Sequence, residues 1–211
     1  MGFARSPGYD VVWHRAGVQN RDERQPPGTD RANHLALTVH DLPADGCPSG
    51  DWLVDVGLGD ALHEPLPLHE GHYTQGPSRF GLRPSQIEPG GWRFDHDPGG
   101  SFAGMDFRAR PATTEDFLAR HEHLSTLPES GFVRTSSVQR RHAAGVDSPS
   151  GCVLRHGDAP STTLDTQGAW FGALRDVFDL PLADVGADER DVLWRRVRDA
   201  HETWRSARAA S

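Results

Sequence analysis

The chain has 211 residues, 36% hydrophobic and 25% charged, with a formal charge of -8 from 30 acidic against 22 basic side chains. That length suits one large domain or two small ones, each with its own core, and the dispersed basic residues argue against a nucleic-acid footprint. No run approaches the roughly 20 apolar residues that spanning a bilayer requires, and residues 1–10 lack the apolar core of a secretory signal, so a cytoplasmic protein is expected.

The first readable strand is Val11-Val12-Trp13-His14-Arg15-Ala16-Gly17-Val18, and the stop Pro26-Pro27-Gly28 follows it. Leu35-Ala36-Leu37-Thr38-Val39 and Trp52-Leu53-Val54-Asp55-Val56 then read as a long-looped antiparallel hairpin, with Asp45-Gly46 and Pro48-Ser49-Gly50 between them. Turn-rich sequence from Glu64 to Pro111 offers strand candidates near 79–82, 91–95 and 102–108, the remainder of a small barrel or sandwich. Thr113 or Thr114 can cap a helix carrying Phe117, Leu118, His121 and Leu124, which Pro128 ends. Residues 132–140 and 151–155 read as a second sheet. Two amphipathic helices follow, one with Trp170, Phe171, Leu174, Val177 and Phe178 on a face, the other with Leu193, Val197, Ala200 and Trp204. The expected organisation is a barrel domain over 1–111, a connector helix and turn over 112–130, and an α/β domain over 131–211.

Opposite ends of an antiparallel pair lie side by side, so the hairpin can bring His34, at the entry of its first strand, towards Asp55, at the exit of its second. An aspartate between valines on a strand needs a partner of its own if it is buried. Gly57 and Gly59 would let the backbone turn sharply beside the pair. Only Cys47 and Cys152 are present, too few for a disulfide framework, and reduced thiols are expected.

The segment Asn33-His34-Leu35-Ala36-Leu37-Thr38-Val39 with Asp55-Val56-Gly57-Leu58-Gly59 resembles the His and Asp motifs of arylamine N-acetyltransferases. The stretch Leu124-Ser125-Thr126-Leu127-Pro128-Glu129-Ser130-Gly131-Phe132-Val133 and the closing two-helix pattern resemble that family as well. The resemblance implies an α+β fold, an antiparallel β-barrel followed by an α/β lid, and ping-pong acetyl transfer from acetyl-CoA to an arylamine or hydrazine nitrogen through a Cys-His-Asp triad. His34 and Asp55 would be two members of that triad, with Gly57, Leu58 and Gly59 lining the substrate pocket. Such a histidine raises the thiolate population of a cysteine whose unperturbed pKa is near 8.5, and the aspartate orients the ring. No metal is implied.

Three departures stand out. The family's Arg-Gly-Gly-x-Cys segment does not occur, and residues 1–7 stand where the helix after that cysteine should finish, so a truncated or mis-assigned start is expected. Leu58 occupies a place usually held by Phe. The spacing from His34 to Asp55 is also long, with the extra residues fitting into the hairpin turn. An amide synthase closing a polyketide macrolactam, or a catalytically inactive fragment, are the alternatives, and self-association through surface exposed by missing helices is expected. Cys47 belongs to the far end of the hairpin, and Cys152 reads as a small buried hydrophobe. His63, Glu64, His69, Glu70 and His72 lack the helical spacing of a zinc motif and read as a polar loop.

Overall fold

In the computed structural model, residues 8–157 and 159–209 are described; residues 1–7, expected above to stand where the helix after the family's cysteine finishes, lie outside them. Two compact units divide the chain between His123 and Leu124.

Period-two alternation of apolar and polar residues builds the first unit. Asp10–Asn20 (β1) buries His14 and Ala16 on one face and Gln19 on the other, His34–His40 (β2) buries Ala36 and Thr38, and Trp52–Val54 (β3) buries Leu53. Leu66–Pro67 (β4), Gly71–Gln75 (β5), Ser78–Pro84 (β6), Trp92–Asp95 (β7) and Phe102–Pro111 (β8) complete an antiparallel sheet in the order β4-β3-β2-β1-β8-β7-β6-β5. Its two edges, β4 and β5, are joined by three residues, and the Tyr73 hydroxyl donates to the Pro67 carbonyl at 3.1 Å, so the sheet curls into a nearly closed barrel. Phe80, Phe94, Phe107, Leu53, Leu82 and Met105 fill its interior, and the outer face of β1 to β3 carries a groove of about 540 Å³ lined largely by Tyr9, Val11, Val39, Leu42, Trp52 and Val54. The strands expected near 11–18, 35–39, 52–56, 79–82, 91–95 and 102–108 are all present with shifted ends; β4 and β5, short and flanked by turns, were not foreseen.

Two polar devices run through this unit. The Arg93 guanidinium donates to Asp106 at 2.6 Å, to the Gln19 side chain at 2.7 Å and to Asp95 at 3.0 Å, while the Ser85 hydroxyl donates to Asp106 at 2.7 Å. Both members of the Arg93–Asp106 pair are buried, so each depends on the other for its charge to be tolerated. A second chain links the strands: His14 Nε2 lies 2.8 Å from the Thr38 hydroxyl, that hydroxyl 2.7 Å from His40 Nε2, and His40 Nδ1 2.7 Å from Asp51. With both rings neutral one proton arrangement satisfies the chain: His40 Nδ1 donates to Asp51, Thr38 to His40, and His14 Nε2 to Thr38. His14 Nδ1 is then left buried and without a partner.

Leu118–Thr126 (α1) runs across the division between the units and follows a 3-10 turn, Thr114–Asp116, where Asp116 accepts the Thr113 N–H at 2.9 Å. The second unit holds Gly131–Arg134 (α2), Arg140–His142 (β9), Gly145–Ser150 (β10), Val153–His156 (β11), Thr162–Thr163 (β12), Gln167–Phe178 (α3) and Ala187–Ala209 (α4). Its sheet has the order β12-β11-β10-β9, and Trp170, Leu174, Phe178, Trp194 and Val197 form its core with Cys152 and Leu164. Asp147, buried on β10, accepts from His142 Nε2 at 3.2 Å and lies 2.9 Å from His156 Nδ1, so that it joins three strands.

Here the expectations need correcting. Residues 132–140 do not form a strand, because Ser130 starts the helical turn α2 and strand structure begins only at Arg140. The stripe read on α4 is rotated: Trp194, Val197 and His201 are buried, whereas Ala200 and Trp204 are exposed. Putting Trp194 against the Trp170 ring, centroids 6.4 Å apart, buries more apolar area than Leu193 could and turns the helix accordingly. No helix among the described residues is long and apolar enough to cross a membrane.

Asp106→Ala leaves the buried Arg93 with only Asp95, partly exposed and shared with Arg83, as counter-charge, and urea denaturation is expected to record a loss of about 3–5 kcal/mol. A separate effect follows from His14. Burial is the main cause pushing its pKa below the ordinary 6.5, and His40 and Arg108 push the same way against the carbonyls of Arg108 and Ala109. The unfolded chain therefore takes up a proton that the fold resists, so the stability this ring contributes is present above 6.5 and is lost as the pH falls from there through its lower folded value. Melting curves at stepped pH should show that fall, and His14→Gln, which keeps a donor for Thr38, should flatten it.

Candidate active site

His34 opens β2, and Asp55 follows β3 by one residue. The hairpin register pairs Leu37 with Val54 and Val39 with Trp52, so the antiparallel arrangement carries residue 34 back alongside the residues just after Val54. There His34 Nε2 lies 2.5 Å from Asp55 Oδ2. The histidine side chain is 11% exposed and the aspartate side chain 2%.

What lets a carboxylate sit at 2% exposure is the number of donors it faces. Oδ2 takes the His34 Nε2–H; Oδ1 takes the backbone N–H of Gly57 at 2.9 Å and of Leu58 at 3.1 Å. The latter two bonds form the turn an Asp makes with backbone two and three residues ahead, and the Asp-x-Gly spelling is the local signal that could have found it. Since the carboxylate only accepts, the ring nitrogen facing it carries the proton. Nδ1 is left as the basic nitrogen, and among the described residues it has no hydrogen-bond partner. The ring is also confined on one side: a Cβ at Gly57 would come within 2.9 Å of His34 Cε1. Gly57 is thus a close-approach position rather than a site of unusual backbone torsion.

The other residues singled out in the sequence fall as follows. Gly57 is exposed beside the ring, Gly59 is half-buried, and Leu58 is half-buried with its side chain packed on the barrel core. Cys47 is fully buried in the hairpin tip, its thiol donating to the Asp51 carbonyl at 3.1 Å. It lies beyond His40, and six residues of strand separate that position from His34 by roughly 20 Å. Cys152 belongs to the second unit, where burial, with Asp165 and Glu202 nearby, pushes its thiol up, opposite to what a nucleophile needs. His69 packs beside Tyr73, whose hydroxyl lies 3.0 Å from its Nδ1, and among the described residues no three His, Cys, Asp or Glu side chains are placed to hold a metal ion.

Sequence reasoning missed the backbone donors of Gly57 and Leu58 as partners of Asp55. It also missed Asp60, His96 and Ser101, which hold the segment carrying those donors. Ser101 donates to the Asp60 carboxylate through its N–H at 2.7 Å and its hydroxyl at 2.9 Å, and His96 Nε2 lies 3.2 Å from the Asp60 carbonyl. No short-range pattern links residues about 40 positions apart.

This geometry can be set beside known proteins. The solved arylamine N-acetyltransferase of Mycobacterium marinum in complex with CoA superposes with a TM-score of 0.69 at 25% identity, over 91% of this chain and 69% of that one. The enzyme of Nocardia farcinica matches at 25% identity with a TM-score of 0.66, over 89% of this chain and 65% of that one. That of Mycobacterium abscessus matches at 22% identity with a TM-score of 0.68, over 90% and 66%. The chain thus spans about two thirds of the length of these solved structures. No curated protein sequence matches. The profile described as N-acetyltransferase matches residues 5–185, which include the barrel and the His34–Asp55 pair, and the chain therefore belongs to the N-acetyltransferase family.

Proposed function

We propose that the chain is the barrel and α/β part of an acyl-CoA dependent N-acyltransferase in which His34 and Asp55 serve a cysteine nucleophile. The observation carrying this is the Asp55-bound His34 Nε2, which leaves Nδ1 as a free base at the end of a β-ribbon. Asp55 is anchored by two backbone donors, so it holds the ring in one tautomer and orientation instead of following it.

In the reaction, His34 Nδ1 takes the proton of the cysteine thiol and the thiolate attacks the carbonyl carbon of the acetyl thioester. The bond from that carbon to the CoA sulfur breaks, the proton passes to the leaving thiolate, and CoA departs as the free thiol. The enzyme now carries the acetyl group as a cysteine thioester. An arylamine or hydrazine nitrogen attacks it, an N–C bond forms, the bond from the acyl carbon to the cysteine sulfur breaks, the amine proton returns through His34 to that sulfur, and the acetylated amine leaves. Asp55 stabilises the positive charge that the ring holds between these transfers. Gly57, Leu58 and Gly59 form the wall next to the ring; lacking a side chain, Gly57 leaves room for the acyl group.

Neither cysteine of the chain fits the nucleophile's role. Cys47 is sealed in a turn with its thiol already bonded, and Cys152 has a raised pKa. The reading therefore draws the thiol from sequence outside these 211 residues, in an Arg-Gly-Gly-x-Cys segment. The CoA held by the M. marinum relative supports the choice of acyl donor.

The test begins with the DNA upstream of the first codon. An in-frame Arg-Gly-Gly-x-Cys segment is expected, and the extended polypeptide should release free CoA from acetyl-CoA when an arylamine is added. In that polypeptide Asp55→Asn, which spoils the tautomer, should lower kcat by about 10⁴-fold. Absence of the segment, or unchanged turnover in Asp55→Asn, would sink the assignment. Gly57→Ala presses on the imidazole and should lower kcat by up to about 10²-fold through misplacement, while a thermal melt moves little because Gly57 itself is exposed.

A further inference from the structure

Between the end of β3 at Val54 and the start of β4 at Leu66 the chain has no strand partner, yet the two amides that hold Asp55 lie in this stretch. Their position is only as fixed as the loop is. The Gln75 side chain, accepting the N–H groups of His63 and Glu64, ties down its far end, and three further attachments hold the part nearer the amides. The Ala61 N–H donates to the Leu58 carbonyl at 2.9 Å, closing a turn; Ala61 and Leu62 are buried in the barrel core; and Asp60, between them and the amides, is gripped by the turn between β7 and β8.

That grip is built from both sides. The Asp60 side chain is 13% exposed and receives both donors of Ser101, while His96, its ring 1% exposed, meets the Asp60 carbonyl and lies 3.7 Å from its carboxylate. The His96 ring is wedged among Phe80, Phe94 and Phe102, with centroids 4.1 to 6.0 Å away. Gly100 must be glycine, because a Cβ there would fall 1.7 Å from the imidazole. The turn itself is pinned. Arg21 donates to the carbonyls of Gly100 and Asp97, and the Asp97 carboxylate takes the N–H groups of Arg79 at 2.8 Å and Gly99 at 2.7 Å. Those amides hold the Asp97 carboxyl below the usual carboxylate range. A rigid corner of the barrel therefore grips the loop two residues from Leu58.

We propose that Asp60, clamped by Ser101 and His96, is the positioning residue that keeps the Gly57 and Leu58 amides on Asp55 and thereby aligns His34 for acyl transfer. Its importance for turnover rests on the acyltransferase reading above; its control of the His34–Asp55 geometry does not. Asp60 acts through the loop backbone and touches no reacting atom. Losing it lets the loop swing about Ala61, withdrawing the two donors and loosening the carboxylate that orients the ring.

The experiment uses the 211-residue chain with ¹⁵N labelling. In the unmodified protein the His34 Nε2 proton should give a downfield resonance, and the Gly57 and Leu58 amides should exchange slowly. Asp60→Ala should speed their exchange at least tenfold and shift or broaden the His34 signal. Ser101→Ala, which removes one of two donors and leaves the chain folded, should do the same to a smaller extent and serves alone if Asp60→Ala unfolds. Ser85→Ala deletes a hydroxyl bond to Asp106 elsewhere in the barrel and should leave both readouts unmoved at a similar cost in melting temperature. If Ser101→Ala, and a folded Asp60→Ala, leave the exchange rates and the His34 resonance as in the parent, the proposal is overturned; so it is if Ser85→Ala changes them equally. Should the signals move as expected while the upstream-extended protein transfers no acyl group, the clamp stands and the acyltransferase reading fails.

Discussion

One buried carboxylate organises this molecule's chemistry. Asp55 is almost wholly withdrawn from water, and a charge so placed persists only when its lone pairs are met. They are met by three N–H groups from three directions: a ring on the neighbouring strand and two amides in the chain just ahead. Because the carboxylate accepts only, it dictates which nitrogen of His34 holds a proton and so which is left basic. A charge that needs satisfying and a ring that needs orienting are thus served by the same bonds.

The barrel supplies the conditions under which those bonds can form. Its register decides that His34 and the residues after Val54 share one end of a ribbon, and its interior takes in the side chain of Leu58 just beyond Asp55. A strand ladder alone would not hold a loop that stays outside every strand for eleven residues, and here packing takes over, with Ala61 and Leu62 as plugs and the β7–β8 corner as a grip. The buried Arg93–Asp106 pair and the His14–Thr38–His40–Asp51 chain obey the same rule, their polar atoms being matched to one another apart from His14 Nδ1, and the burial of that ring makes the fold sensitive to acid.

How much was legible beforehand varied with the range of the interaction. The strands of the barrel could be read where β-branched and aromatic residues cluster between turns, and α3 and α4 where the apolar face repeated at helical spacing; Gly71–Gln75 (β5), with Tyr73 as its one large apolar residue, gave no such signal. Failures came where sequence context was short or ambiguous. Residues 132–140 mix β-branched with helix-starting residues, and only a Ser130 turn tips the first of them into α2. On α4 either of two adjacent stripes could have faced inward, and the partner ring of Trp170 chose between them. β4, two residues long, owes its existence to the strand beside it.

The amino-acid sequence by itself determined the pairing of an His-led strand with an Asp-x-Gly exit, the family this pairing resembles, and the fact that neither cysteine sits near it, because all of these are matters of residue type and spacing along one hairpin. Only the tertiary structure decided that Asp55 is buried, that Gly57 leaves just enough space for the imidazole, and that Asp60, His96 and Ser101 meet. Those facts depend on where strands far apart in the chain come to rest when a sheet curls on itself, and hydrogen bonds formed across such distances follow from closure of the barrel, which no local pattern encodes.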